Sequence, residues 1–127
     1  DSINIKDAYI INLQVNFDII VLPNYNNNEV ITKCVDSLTN FFAIDKWQIN
    51  EPILLKDISI LLDKVEGVQT VKSVKLVNLA GESLGYSEFS YDLDAAEVDG
   101  VVYPSIDPMV FEVKFPTQDI RGRVVPL

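Results

Sequence analysis

The sequence predicts an α+β fold: a two-layer sandwich with two amphipathic helices on one face of a mixed sheet, and a C-terminal β-hairpin and extended arm. Three observations predict it. Ile11–Ile19 alternates apolar and polar residues without a break. Val30–Phe42 repeats its apolar residues at helical spacing. Val98–Lys114, which reads VDGVVYPSIDPMVFEVK, is extended and punctuated by turn residues.

In the first strand Ile11, Leu13, Val15, Phe17 and Ile19 share one face, and Asn12, Gln14, Asn16 and Asp18 share the other. One face meets a core; the other meets solvent or a polar neighbour, as antiparallel and mixed sheets permit. Pro23 stops the strand, and Asn24–Asn28 reads as a loop in which Asn27 or Asn28 caps the next helix. Glu29–Ala43 is predicted helical. Its apolar stripe is Val30, Ile31, Cys34, Val35, Leu38, Phe41 and Phe42, with Lys33, Asp36, Ser37 and Asn40 opposite.

Trp47–Asn50 reads as a brief edge strand, and Asn50-Glu51-Pro52 as a helix start. Leu54, Leu55, Ile58, Leu61, Leu62 and Val65 form the stripe of the second helix, which Gly67 terminates. Val68–Leu79 is β-rich, with a bulge where its period-2 register slips after Val71. Ala80–Tyr86 reads as a loop and Glu88–Asp92 as a short strand. Asp99-Gly100 then fits a type I′ hairpin turn, whose positive φ values glycine accepts. Pro104, Pro108 and Pro116 keep the arm from becoming helical. Residues 1–7 read as a linker or frayed end, 8–97 as the α+β core and 98–127 as hairpin and arm of the same domain.

Composition narrows the function. The 127 residues carry 19 acids against 10 bases, net −9, and no basic run, which argues against nucleic acid and anionic membranes. There is no histidine, so the commonest general base and metal ligand is missing and no Ser-His-Asp arrangement exists within the chain. The single cysteine, Cys34, lies on an apolar stripe and reads as a buried small hydrophobe. No apolar stretch approaches the ~20 residues that span a bilayer.

Asp92, Asp94, Glu97 and Asp99 are the densest set of oxygen ligands, but Ala96 stands where a calcium loop needs a donor. They read as solvated, and Arg121-Gly-Arg123 as a solvated or salt-bridged element rather than a phosphate site. Neither a catalytic constellation nor a cofactor motif emerges, so the chain is expected to be no enzyme and to hold neither metal nor cofactor. The absent initiator methionine leads us to expect a piece of something longer.

Several passages in order carry a resemblance: Phe17-Asp-Ile-Ile-Val-Leu-Pro23, Val30–Phe42, Trp47-Gln-Ile-Asn-Glu-Pro-Ile53, Val65-Glu-Gly-Val68 into Val71–Val77, Asp99-Gly-Val-Val-Tyr-Pro104, Asp107–Lys114 and Asp119–Val124. Together they resemble the C-terminal region of a baseplate wedge subunit of contractile-tailed phages, related to the baseplate-J-like proteins. Asp107-Pro-Met-Val-Phe-Glu-Val-Lys114 is the most distinctive of them. The resemblance implies a structural protein of the virion tail baseplate, assembled in the host cytoplasm. Its partners would be copies of itself, as a homodimer or larger homo-oligomer, and other wedge proteins, with no nucleic acid, no membrane, no catalysis and no cofactor.

The residues alone are compatible with an assembly role. Met109, Phe111, Val113 and Phe115 alternate with Val110, Glu112 and Lys114, so the arm either buries one face against a partner or completes its own sheet. Tyr103, Phe111, Val113, Phe115, Arg121 and Arg123 are the partner-contact candidates. A generic α+β module binding a protein or small ligand, unrelated to phage assembly, is the alternative.

Overall fold

A computed structural model describes residues 8–43, 47–105 and 107–127; the expected linker 1–7 lies outside them. The fold is α+β. Its first element, β1 (Tyr9–Val21), is also its axis, because every other strand of the main sheet hydrogen-bonds to it. On one side β3 (Val68–Leu79) runs antiparallel; on the other, β6 (Met109–Glu112) and then β7 (Ile120–Val124) run parallel. The arm therefore pairs within its own domain. β6 takes the first third of β1 (Tyr9–Asn12), and β7 takes Val15–Ile19.

The alternation of β1 places Ile11, Leu13, Val15, Phe17 and Ile19 in the core, each almost fully buried. Helix α1 (Asn27–Phe41) contributes Val30, Cys34 and Leu38, and α2 (Leu55–Asp63) contributes Ile58 and Leu62. These two helices cover that face, α1 against β7 and α2 against β3. Burial raises the Cys34 thiol to about 11, in keeping with its place on the apolar stripe. The second helix stops sooner than expected, at Asp63 with Lys64 as its C-cap in ordinary right-handed backbone, so Gly67 is not its terminator; at φ +98 it turns the chain into β3, and a Cβ there would sit 2.6 Å from Val30 Cγ2 of α1.

A second, small sheet has the order β2 (Ile53–Leu54), β5 (Val101–Val102), β4 (Glu97–Val98). Asp99 and Gly100 join β4 to β5 with φ values of 53° and 80°, as a type I′ turn requires. The turn docks on the start of α2, where the Leu55 amide donates to the Gly100 carbonyl (2.9 Å).

Several local expectations are corrected. The cap of α1 is Asn26, not Asn27 or Asn28; its side chain accepts from the Glu29 amide (3.0 Å), so the helix begins and ends two residues early. Trp47–Asn50 is not a strand: the indole N–H of Trp47 donates to the Phe41 carbonyl (2.8 Å) and its ring stacks on Phe42. Asn50-Glu51-Pro52 does not open a helix. The chain first pairs as β2, α2 starts at Leu55 without a side-chain cap, and Leu54 lies exposed in the small sheet rather than on the buried stripe.

Glu88–Asp92 has no strand partner and packs as irregular backbone. Pro116, expected to oppose helix, starts the turn α4 (Pro116–Asp119), because a proline at a first helical position loses no hydrogen bond. The bulge in β3 falls close to where it was expected. Asp18 pairs with Ser73 and Ile19 with Val71, which leaves Lys72 extra; Gln69 is extra in the same way.

Candidate functional site

The side of the main sheet away from the helices carries Asn12, Gln14, Asn16 and Asp18, and its two ends differ. At the β6 end it is closed. The Ser87 amide donates to Asn12 Oδ1 (2.6 Å), Asn12 Nδ2 donates to Glu112 Oε1 (2.7 Å), and Asn12 is 1% exposed. The segment after β3 thus folds back over this end, with its Glu82–Leu84 3₁₀ turn. Tyr86 anchors it by donating its hydroxyl to Asp119 Oδ2 (2.8 Å) and stacking edge-on with Phe115. Burial, and then the bond to the Asp119 carboxylate, push the Tyr86 phenol above its ordinary value.

At the β7 end the face is open. Strand register sets the rows: Lys75, Asn16 and Arg121 lie side by side, then Ser73, Asp18 and Arg123. Arg123 grips Asp18 through both carboxylate oxygens, Nε to Oδ1 at 3.1 Å and Nη2 to Oδ2 at 2.9 Å, and Ser73 Oγ donates to Oδ2 (3.3 Å). The hydrogen bond from Arg123 leads in holding the Asp18 carboxyl below its ordinary range, helped by the guanidinium charge and Ser73. Arg121 Nε is tied to the Gln118 carbonyl (2.9 Å), and Lys75 extends into solvent. These residues line a shallow depression of about 370 Å³. Three cations against one carboxylate give this patch a local charge of +2 on a chain of net −9.

The partner-contact candidates separate. Phe111 and Val113 are 1% and 6% exposed and belong to the domain core, because β6 joins β1. Arg121 and Arg123 share the open face. Phe115 is 37% exposed beside Tyr86, with Lys114 Nζ 5.6 Å above its ring. Tyr103 is 48% exposed at the far end of the small sheet, where its carbonyl accepts from the Tyr91 hydroxyl.

Sequence reasoning missed Lys75, which joins the arginines only through β1. It also missed an apolar row. Leu54, Val101 and Val98 are register partners across β2, β5 and β4, opposite in direction to buried Ile53 and Val102. The alternation within each two-residue strand was the available signal, but strands so short carry too little of it.

Among the described residues no group of three or more Cys, Asp or Glu is placed to hold a metal ion, and no helix is long and apolar enough to cross a membrane. Asp92 instead caps α3 (Leu93–Ala96) by accepting from the Ala95 amide (3.0 Å). Compared with protein-family models and with curated proteins, the chain matches none.

Proposed function

We propose that this chain is a structural assembly domain whose surfaces join it to copies of itself and to other subunits, of the kind found in phage baseplate wedges, and that it is not an enzyme. The observation that carries the reading is where its polar chemistry goes. Among the described residues the buried polar side chains, Asn12 and Asp119, hold backbone and a tyrosine in place, and the Asp18 carboxylate is spent on Arg123. What the domain offers outward is a cationic strand face and exposed apolar residues. Those are means of association rather than of bond making. The baseplate part of the reading rests on the ordered sequence passages given above.

Sedimentation velocity from low micromolar to millimolar concentration tests the reading. Reversible dimers or larger species are expected, and a strict monomer throughout would remove self-assembly. A binding-module reading has one observation in its favour, a groove of about 350 Å³ lined by Phe41, Trp47 and Leu61 with Ser37, Asn40 and Glu51. It predicts that Leu61→Glu abolishes ligand capture without changing the sedimentation profile.

A further inference from the structure

We infer that a second copy of this chain docks head to tail, the outer face of the small sheet of one copy seating on the cationic strand face of the next. This rests on the assembly reading and names its surfaces. Two copies of net charge −9 repel, so association needs a place where attraction wins locally. Lys75, Arg121 and Arg123 supply one; all three are exposed, and only Asp18 offsets them within the depression.

The matching surface is on the same molecule. Leu54 and Val98 are 39% and 56% exposed, and with Val101 they form an apolar row across three strands. Exposed Asp94 and Asp99 flank β4, before and after it, whereas Glu97, the register partner of buried Val102, points away from the row. The row supplies apolar area to bury, the acids meet the cations, and the aliphatic stems of Lys75 and the arginines give the apolar row something to rest on.

A symmetric alternative, edge to edge through β3, fares worse. Bulges at Gln69 and Lys72 interrupt that edge, and antiparallel self-pairing would bring Lys72 and Lys75 against the same residues of the other copy. Because the two docking surfaces differ, the contact is heterologous, and it propagates unless its rotation closes a ring.

The test uses two charge variants of the whole chain, Lys75→Glu/Arg121→Glu and Asp94→Lys/Asp99→Asn, the asparagine suiting the positive φ at 99, with circular dichroism melts to verify folding. All are compared at one fixed salt concentration, because salt screens the repulsion between the two −9 copies as well as the local attraction. Each variant alone should lose about tenfold or more in self-affinity. Mixed, the two should associate again, since the intact small sheet of one meets the intact cationic face of the other. Unchanged self-association in both variants, or mixtures that do not pair, would overturn these surfaces while leaving the assembly reading standing. A monomeric parent at every concentration removes both. Should Lys75→Glu/Arg121→Glu fail to fold, Lys75→Gln/Arg121→Gln carries the same test with a smaller expected loss.

Discussion

The two faces of the main sheet are built from the same thirteen residues of β1, yet one is committed to the interior and the other is divided. On the helix side Ile11, Leu13, Val15, Phe17 and Ile19 are sealed under α1 and α2. On the other side Asn12 is sealed by the segment around Tyr86, whereas Asn16 and Asp18, two and three steps further on, are half open. The difference teaches that polarity of sequence does not decide burial. A polar residue can be buried where backbone amides arrive to bond it, and it stays open where only neighbouring side chains do.

Cutting into each region sharpens this comparison. On the helix face Leu38→Ala and Leu62→Ala should each cost ~2–5 kcal/mol in chemical denaturation, because both side chains are fully buried. Phe41 and Leu61 are only half buried, so their truncation should cost less. Next comes the closed end of the polar face: Asn12→Ala strands the Ser87 amide and should cost ~1–3 kcal/mol.

Gly122 faces the core from β7, and a Cβ there would lie 2.2 Å from Phe17 Cζ and 2.9 Å from Ile31 Cδ1. Gly122→Ala should therefore destabilise by ~1–3 kcal/mol, although Ala is otherwise the easier residue in a strand. Equal stability of the alanine variant would sink the tight Phe17–Gly122 packing described for β7. At the open end, Lys75→Ala should stay within about ±0.5 kcal/mol.

The smallest effects are read by titration. Asp18 has its folded pKa below the ordinary 3.8, so its contribution is present above that value and is lost as pH falls through the lower, folded one. NMR of the Asp18 carboxyl should show a midpoint under 3.8, moving up in Arg123→Gln. Tyr86 shifts the other way. Its folded phenol holds the proton past the ordinary 10, so its contribution is present below pH 10 and is lost as pH rises through the folded value. Ultraviolet difference titration should place Tyr86 as a late-ionising tyrosine, and Asp119→Asn should bring it earlier.

Much of the architecture was legible because period alone determines it. The alternation of Ile11–Ile19 and the helical stripe through Val30, Cys34 and Leu38 each gave element and buried face together. Asp99-Gly100 specified its turn by chemistry that few residue pairs share. What escaped depended on partners remote in sequence. Asn50 looked like a helix cap, but its amide donates to the Met109 carbonyl (2.6 Å) and its Oδ1 accepts from the Met109 amide (3.0 Å). It thereby covers the outer edge of β6. Nothing local to Asn50 announces a residue 59 positions away. The cationic face was half legible, since Arg121 and Arg123 stood out, but Lys75 reaches them only across β1.

The parallel pairing of β1 with β7 has a mechanical consequence. β1 leads into the sheet from one end, and β7, running in the same direction, leads out at the other. Tension applied to the two chain ends would load the Val15–Val124 ladder lengthwise, straining its hydrogen bonds together instead of peeling them one by one. A domain strung between moving neighbours through those ends would resist being pulled apart along the axis on which it is connected.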